Sequence, residues 1–357
     1  MASAIEWTGE TLNPVRARLR SDPTRVGWHC EHASPGCLHC YAESRNVSGR
    51  CNLGTRLPYK PGHRKDVEIF LDEKVLLRPL KWRKPRTIFW GSMTDLFAGF
   101  VTDAMLDRMF AVMALTPHHT HQVLTKRADR MRAYFADSSI VRRVCTIAAS
   151  LRYEGAPDPD RFPKRFNAVM QPSQKLVAWT APGGCADAHF RRSEPGRAYP
   201  SWVQWPLPNV WLGVSVEDQQ RAEERREDFR ETPAGVKFVS YEPALGPVDW
   251  TGWEFVQQII SGGESGPKAR PHHPDWHRAT RDFCASRGIA YFFKQWGEFR
   301  PCTEAELKQA SGATRVGTDP FSASSYMMRV GKKAAGRLLD GVEHNGMPAH
   351  GQVGSPS

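Results

Sequence analysis

The sequence has no long apolar run. No segment approaches the roughly 18 consecutive apolar residues that suggest a membrane-spanning helix. The first residues, Met1 to Trp7, lack the basic and apolar blocks of a secretory signal. Of the 357 residues, 40% are hydrophobic and 24% are charged, which is an ordinary globular composition. We therefore expect a cytoplasmic protein without a membrane partner.

Acidic residues are in deficit. Asp and Glu total 38 against 49 Lys and Arg, so the formal net charge is +11. This excess favours polyanionic partners, and nucleic acid or a nucleotide is the natural candidate. Basic residues cluster at 78–86 and 126–132 with aromatic residues nearby, which is typical of nucleic-acid binding. The alternative is a basic, solvated surface without a specific partner.

Cysteine is uncommon, with eight in the chain, and a cytoplasmic chain of this length is not expected to build a disulfide framework from them, because the cytoplasm keeps thiols reduced. Three of them stand close together: Cys30, Cys37 and Cys40, in a C-x6-C-x2-C spacing. Such a group predicts metal binding or catalysis. Three thiolates leave one side of a bound metal or cluster open, where a substrate or cofactor can bind.

Two kinds of centre are consistent with this spacing. In one, His29, His32 or His39 completes a Cys3His zinc site, and the loop is a stabilising clip. In the other, the cysteines bind a [4Fe-4S] cluster that keeps one iron open. A chance group of structural thiols is the third interpretation.

Short apolar runs, rich in β-branched and aromatic residues, alternate with helical patterns. The strands are predicted at 5–8, 87–90, 121–124, 210–214, 237–240, 255–260 and 290–293. Helices are predicted at 102–115, where methionines recur every four residues, and at 218–230 and 275–287. Alternating strands and helices predict parallel βαβ units. Seven such strands indicate an α/β fold with a (β/α) barrel that is incomplete.

Polar residues directly follow six of the predicted strands. In a parallel barrel these positions share one face, the active face. We therefore predict a site there, together with the cysteine loop that follows the first strand. The candidate residues are Ser92, Asp95, Thr125, Lys126, Arg127, Ser215, Glu217, Glu242, Gly262, Gly263, Glu264, Lys294, Gln295 and Trp296. Ordinary surface polarity explains any one of these strand ends but fits poorly with all six.

Two regions fall outside the barrel pattern, which spans 1–299. Residues 133–208 are too long for a simple crossover between the third and fourth strands and contain a middle rich in Pro, Gly and charge. We predict that they form an insertion over the active face. Residues 300–349 are predicted to be an extension packed on the barrel, and 350–357 a disordered tail.

Ordered motifs along the chain carry a family resemblance. They are Ile5–Thr8 with Asn13 and Pro14, Ser34–Glu43, Gly91–Phe97, Leu124–Arg127, Trp211–Glu217, Ser240–Pro243, Gly262–Gly266 with Ala269–Pro271, and Phe292–Gly297. The chain resembles the phage and prophage three-Cys-motif proteins, a radical-SAM-like family (domain of unknown function 5131). The resemblance implies a radical-SAM-like barrel, encoded by a phage or prophage in a bacterial host. It supplies no reaction.

The resemblance also implies that Cys30, Cys37 and Cys40 bind a [4Fe-4S] cluster that holds and cleaves S-adenosylmethionine (SAM). The chain departs from the general radical-SAM pattern in its six-residue first gap and in an aromatic, Tyr41, that follows the last cysteine. Its Gly-Gly-Glu segment, 262–264, comes after the sixth strand rather than the second. Ser92 and Asp95 are then the expected stand-ins near SAM. The stretch 15–27, with four arginines, is expected to alter cluster access or add a phosphate contact.

Side-chain chemistry assigns the remaining roles. Ser215, Glu217 and Glu242 are expected to bind the cofactor through an amine or ribose hydroxyls. Thr125, Lys126, Arg127 and Lys294 are expected to bind a substrate carboxylate or phosphate, with Gln295 and Glu264 beside them. The backbone at Gly262 and Gly263 is suited to an anion. Trp296 either stacks on a base or packs in the barrel rim.

The sequence thus favours a radical-SAM-like iron–sulfur enzyme that acts on nucleic acid or a nucleotide, in phage DNA modification or repair. Two alternatives remain at this point. One is a non-catalytic nucleic-acid-binding barrel stabilised by zinc. The other is an accessory protein to a separately encoded partner.

Overall fold

A computed structural model describes residues 5–49, 53–155, 190–194, 197–200, 204–309, 313–316 and 325–348. The strands are β1 Glu10–Leu12, β2 Val15–Leu19, β3 Asp22–Gly27, β4 Val67–Leu71, β5 Thr87–Trp90, β6 Thr120–Thr125, β7 Phe190–Glu194, β8 Arg197–Pro200, β9 Val210–Ser215, β10 Val236–Tyr241, β11 Gln258–Gly262, β12 Ala290–Gln295, β13 Phe299–Cys302, β14 Ala313–Val316 and β15 Ser325–Arg329. The helices are α1 Tyr41–Ser48, α2 Glu73–Leu76, α3 Arg78–Lys81, α4 Asp103–Ala114, α5 Ala128–Ala136, α6 Ile140–Gly155, α7 Gln219–Glu231, α8 Pro274–Arg287, α9 Glu304–Gln309 and α10 Lys332–Ala335.

The central sheet is parallel and has seven strands in the order β1-β5-β6-β9-β10-β11-β12. It curves into a half-barrel, so the mixed α/β fold with a partial (β/α) barrel is confirmed. The carboxyl ends of all seven strands lie at one edge, which we call the mouth. Parallel sheets place their functional loops at this edge.

The first predicted strand, 5–8, is wrong. The chain there is a turn, and the edge strand β1 begins at Glu10. Trp7 is buried, because its ring packs on Phe89 at 4.8 Å between centroids. The Gly9 N–H then donates to the Thr87 carbonyl at 3.2 Å, which starts the pairing with β5. Ile5 and Trp7 thus cover the interior of the sheet and do not form a strand.

Side chains alternate between the two faces of the half-barrel, as period-two strands require. The inner face carries an aromatic cluster: Trp7, Phe89, Trp211, Val236, Phe238, Ile260 and Phe292. Glycine is needed at position 213, because the Phe238 ring occupies the space where a Cβ would project. The outer face packs under the helices in one large core. The interior of the half-barrel below the polar mouth is therefore filled with apolar side chains.

The three predicted helices are confirmed, with α4, α7 and α8 ending within one residue of the expected positions. Thr102 caps α4 by accepting from the Met105 N–H at 3.3 Å, and Met109 and Met113 are fully buried. Gly288 ends α8 with a φ of 67°, a conformation that glycine adopts without strain.

A second sheet, antiparallel in the order β3-β2-β4, was not predicted. Its strands β2 and β3 lie in the chain between β1 and the cysteines, and β4 comes after α1, so the cysteine loop does not directly follow the first strand as expected. It follows β3 instead. The inner face of this sheet is buried through Val15, Ala17 and Val67, which attaches it to the barrel.

The carboxyl-terminal part begins with a small antiparallel sheet, β13-β15-β14. The chain then runs along the free edge of β12. The Trp296 N–H donates to the Gly336 carbonyl at 3.1 Å, and the Gly346 N–H donates to the Tyr291 carbonyl at 2.8 Å. Lys332 pairs with Glu6 at 3.0 Å across the open side of the half-barrel.

Part of the predicted insertion, 133–208, is helical. Helix α6 packs on the barrel through Val144 and Ala148, both fully buried, and β7 pairs with β8 as a hairpin. Residues 156–189 and the predicted tail, 350–357, lie outside the described residues. No helix in the described ranges is long and apolar enough to cross a membrane.

Candidate metal centre

The segment Trp28–Cys40, which we call the cysteine loop, crosses the mouth. It leaves β3, makes a short 3-10 turn at Pro35–Cys37 and ends at Cys40, which directly precedes α1. Cys30, Cys37 and Cys40 are free thiols, each partly exposed. Four strand ends hold this loop.

The ends of β5 and β6 bind the first part of the loop. Thr94 donates through Oγ1 to the His29 carbonyl at 2.5 Å, and Arg127 Nη2 donates to the Glu31 carbonyl at 2.9 Å. Beyond the loop, the Tyr41 hydroxyl donates to the Ser92 carbonyl at 2.7 Å. The backbone on both sides of the cysteines is therefore fixed to the barrel.

The end of β9 binds the middle of the loop through Glu217, whose side chain is fully buried. Ser34 Oγ donates to Glu217 Oε1 at 2.7 Å, Arg225 Nη1 donates to Oε2 at 2.9 Å, and Lys126 Nζ makes a further short contact. Burial would raise the pKa of Glu217, but Lys126 and Arg225 outweigh it and lower that pKa to about 2. A Cβ at Gly36 would lie 2.6 Å from Glu217 Oε1, so only glycine fits there.

The end of β11 binds the same turn from the other side through Glu264. Arg270 donates to Glu264 through Nε at 2.8 Å and Nη2 at 2.7 Å, and its Nη2 also reaches the Pro35 carbonyl at 3.2 Å. His39 Nδ1 lies 3.2 Å from Glu264 Oε2. Although burial opposes it, the hydrogen bonds from Arg270 lower the pKa of Glu264. Glu217 and Glu264 thus hold the loop as two carboxylate anchors.

Asp95 joins the ends of β5 and β6. Its carboxylate accepts from Thr125 Oγ1 at 2.7 Å, from the Lys126 N–H at 3.0 Å and from Arg127 Nη1 at 2.8 Å. The Phe97 N–H adds a fourth bond at 2.9 Å. Asp95, Thr125 and Arg127 therefore satisfy one another within the protein. Ser92, predicted beside Asp95, bonds to Asn13 at 3.0 Å.

The remaining polar residues on the inner face lie toward β10 and β12. Lys294 Nζ pairs with Glu242 Oε1 at 3.2 Å, and Ser240 Oγ lies 3.4 Å from Glu242 Oε2. Ser215 is buried on the neighbouring strand. Gly262 leaves room for the Glu242 carboxylate, because a Cβ at position 262 would lie 2.6 Å from Glu242 Oε1. The structure thus brings Ser215, Glu242 and Lys294 to the inner face of the mouth.

The Gly263 and Trp296 positions are occupied by internal contacts. The Gly263 N–H donates to the Gln295 carbonyl at 3.0 Å, and Gln295 Nε2 donates to the Gly263 carbonyl at 3.3 Å. Trp296 is only 4% exposed, stacks on His272 and donates its indole N–H to the Leu338 carbonyl at 2.8 Å. Its ring packs in the barrel rim, which is one of the two roles the sequence left open.

Two cations and a backbone N–H group lie near the three sulfurs. Arg127 lies near Cys30 and Cys37, and Lys126 lies near Cys40. The Ala33 N–H donates to Cys37 Sγ at 3.5 Å. Burial raises the pKa of Cys30 to about 12 and also raises the pKa of Cys40, so both are neutral thiols until a metal binds.

Three thiols with nearby cations and N–H donors fit a metal or an iron–sulfur cluster as a donor set. Within the described ranges no three His, Cys, Asp or Glu side chains already converge as a metal site. The thiols would therefore have to turn toward one centre when a metal binds.

The histidines of the loop interact with other groups. His32 Nε2 lies 2.7 Å from Glu43, and His39 bonds to Glu264. His29 is buried against Phe100, with 5.0 Å between ring centroids. The described structure therefore gives each histidine a protein contact that does not involve the cysteines.

Sequence reasoning missed the residues that hold the loop: Ser34, Gly36, Arg225 and Arg270. Arg225 lies on the buried face of α7 with Ala222 and Phe229. Their spacing of three and four residues is the helical signal that would have identified a buried arginine. Ser34 has no such signal, because its partner is 183 residues away.

Comparison with known proteins gives one match. Neither the curated proteins nor the solved structures contain a match to this chain. A family model described as "Protein of unknown function (DUF5131)" matches residues 2–348. The chain therefore belongs to the DUF5131 family.

Proposed function

We propose that this protein is an iron–sulfur enzyme of the radical-SAM type, with Cys30, Cys37 and Cys40 as the cluster ligands. The observation that carries the proposal is the position of the cysteine loop, which crosses the mouth of a parallel half-barrel and is bound by four strand ends. Loops at this edge of parallel folds carry the chemistry. When bound, a reduced [4Fe-4S] cluster supplies the electron that cleaves SAM.

An open-sited cluster is favoured over closed zinc by the ligand count. A structural zinc needs four protein ligands. The cysteines supply three, while His32 and His39 each bond to a carboxylate. A fourth ligand would have to come from His32 or His39, which breaks one of these contacts, or from the buried His29. Three ligands are sufficient for a cluster that leaves one iron to a cofactor.

The inner face beside the loop suits a polar cofactor. Glu242, Ser240 and Ser215 supply carboxylate and hydroxyl groups for an amine or ribose, and Lys294 pairs with Glu242 beside them. The aromatic cluster beneath them closes the barrel interior to water. Glu217 and Asp95 have a different role in this proposal, since their carboxylates hold Lys126, Arg225 and Arg127 and through them the loop.

Nucleic acid or a nucleotide is the proposed substrate class, supported by the net charge of +11. A phage or prophage origin and a cytoplasmic location in a bacterial host are part of this proposal. A separately encoded protein partner is compatible with this proposal.

The test is anaerobic purification and reconstitution followed by metal analysis. We expect about four irons and four sulfides per chain, with broad visible absorption, as for a single [4Fe-4S] cluster. Reduction in the presence of SAM should then release 5′-deoxyadenosine. One zinc per chain and a colourless protein would instead favour the zinc-stabilised alternative. A cluster without 5′-deoxyadenosine would remove the SAM chemistry and keep the iron–sulfur site.

A further inference from the structure

The surplus positive charge is concentrated in one part of the chain. Residues 16–86 contain sixteen Lys and Arg against seven Asp and Glu, and the rest of the chain contains 33 against 31. Nearly all of the net charge therefore belongs to the antiparallel sheet β3-β2-β4, to α1 and to the segments that join them to β5. The rest of the chain is almost neutral.

The cations at the mouth are neutralised by partners. Lys126 pairs with Glu217, Arg127 with Asp95 at 2.8 Å, and Lys294 with Glu242 at 3.2 Å. A phosphate bound by these cations would have to displace a carboxylate already in contact with them. The mouth is therefore a poor first contact for a polyanion.

On the outer face of the antiparallel sheet, by contrast, arginines stack on aromatic rings and, among the described residues, few of them pair with an acidic residue. Arg16 lies over the Trp28 ring at 4.6 Å from its centroid, and Arg18 lies over the Phe70 ring at 4.6 Å. Arg16 and Phe70 are directly opposed on β2 and β4, so these stacked pairs form one surface. Arg20 is exposed at the end of the same strand. Arg18 has one acidic partner, Glu68 at 3.3 Å, and its side chain remains 39% exposed.

This face is continuous with the cysteine loop. Trp28, the ring under Arg16, is the first residue of the loop and packs in a small apolar cluster with Cys30 and Cys40. The Trp28 N–H donates to Asn46 of α1 at 3.0 Å, which fixes the tryptophan between the sheet and the helix. An extended polymer bound along the sheet would therefore reach the cysteine loop.

We propose that single-stranded nucleic acid binds along this Arg–aromatic face, formed by Arg16, Arg18, Arg20, Trp28 and Phe70. Guanidinium planes and aromatic rings stack on unpaired bases, while the arginine charge contacts the phosphates. A duplex conceals its bases from such a flat, stacked surface. This inference deepens the proposed function by naming its substrate class and entry surface, and it does not require the cluster.

The test is binding of a fluorescein-labelled single strand of about 20 nucleotides to the full-length chain, long enough for a single-strand groove. The variant is Arg18→Gln with Arg20→Gln, at exposed positions. The matched control is Arg142→Gln with Lys333→Gln, two exposed cations for which the described part of the chain shows no ion pair. We expect the first variant to weaken binding about tenfold at about 50 mM salt and to reduce the salt slope by about 1.4, whereas the control changes affinity less than about twofold.

Three outcomes would overturn the proposal. One is the absence of binding at low salt. Another is equal weakening by both variants, because that indicates net charge alone. The third is tighter binding to a duplex of the same sequence, because that indicates a different partner. Binding is measured with and without reconstituted iron, so failure of the iron–sulfur proposal leaves the binding result interpretable.

Discussion

The mouth of the half-barrel and the outer face of the antiparallel sheet use charge in opposite ways. At the mouth, Glu217 is fully buried between Lys126 and Arg225. On the sheet, Arg18 and Arg20 face solvent, and of the two only Arg18 has an acidic partner in the described structure, Glu68. A buried charge is stable only when it is paired, whereas an exposed cation tolerates having no partner. The charged residues at the mouth therefore position the cysteine loop, whereas the exposed arginines of the sheet are available to bind a partner.

The largest effect is expected from Glu217→Ala. It leaves Arg225, with a side chain only 6% exposed, without its carboxylate, and it releases Ser34. Breaking a buried pair in this way costs about 3 to 5 kcal/mol of the free energy of unfolding. Urea denaturation measures the loss. Glu223→Ala, on the exposed side of α7, is the control and should cost less than about 0.5 kcal/mol. Equal costs would refute the contrast between paired burial and exposure.

A pH effect of intermediate size is expected from His272, which is fully buried behind Gly263. Burial lowers the pKa of His272 from 6.5 to about 4. The unfolded chain therefore binds a proton that the folded chain excludes. The stability from this neutral histidine is complete above pH 6.5 and is lost as the pH falls toward 4. The loss between pH 7 and pH 5 is about 2 kcal/mol from this residue. A urea midpoint that stays level over that range would contradict the assignment.

Gly36→Ala should act mainly on the loop. The added Cβ meets Glu217 at 2.6 Å, so the turn at Pro35–Cys37 must move away from its anchor. We expect a stability cost of at least about 1 kcal/mol and a lower iron content after reconstitution. Gly62→Ala is the control, because a Cβ there has no heavy atom within 4 Å. Normal iron content in the Gly36 variant would show that the anchor does not position the cysteines.

The smallest stability effect is expected on the sheet. Arg18→Gln removes an exposed ion pair with Glu68 and should change the free energy of unfolding by less than about 0.5 kcal/mol. The same change should weaken binding of single-stranded nucleic acid. A large loss of stability would mean that Arg18, like Arg225, serves the fold.

Much of the fold could be predicted because local patterns determine it. The apolar runs at β5, β6, β9, β10 and β12 and the caps of α4 and α8 are signals within a few residues. β1 has three residues and no apolar run, so the sequence pattern predicts the strand at Ile5 and Trp7 instead. The sequence of β2, VRARL, alternates as a strand should, but its arginines by themselves suggest a phosphate contact rather than a strand.

The site could be predicted only in part, because its side chains are organised by distant partners. The polar strand ends were correctly located at the mouth, but sequence does not show whether a cation is paired. Lys126 and Glu217 are 91 residues apart, and Arg127 and Asp95 are 32 apart. Because of these pairs, residues that were expected to bind a ligand instead hold the cysteine loop in place. Trp296 is similar, since its indole partner, Leu338, lies 42 residues away.

The most direct test of the central claim is the iron and sulfide content of single-cysteine variants after anaerobic reconstitution. Cys30→Ala, Cys37→Ala and Cys40→Ala are compared with Cys284→Ala, a buried thiol of α8 away from the loop. We predict about four irons and four sulfides per chain for the wild type and the Cys284 variant, as one [4Fe-4S] cluster requires, and a severe loss in each of the other three. Full iron content in any loop variant, or zinc in place of iron in the wild type, would contradict the account.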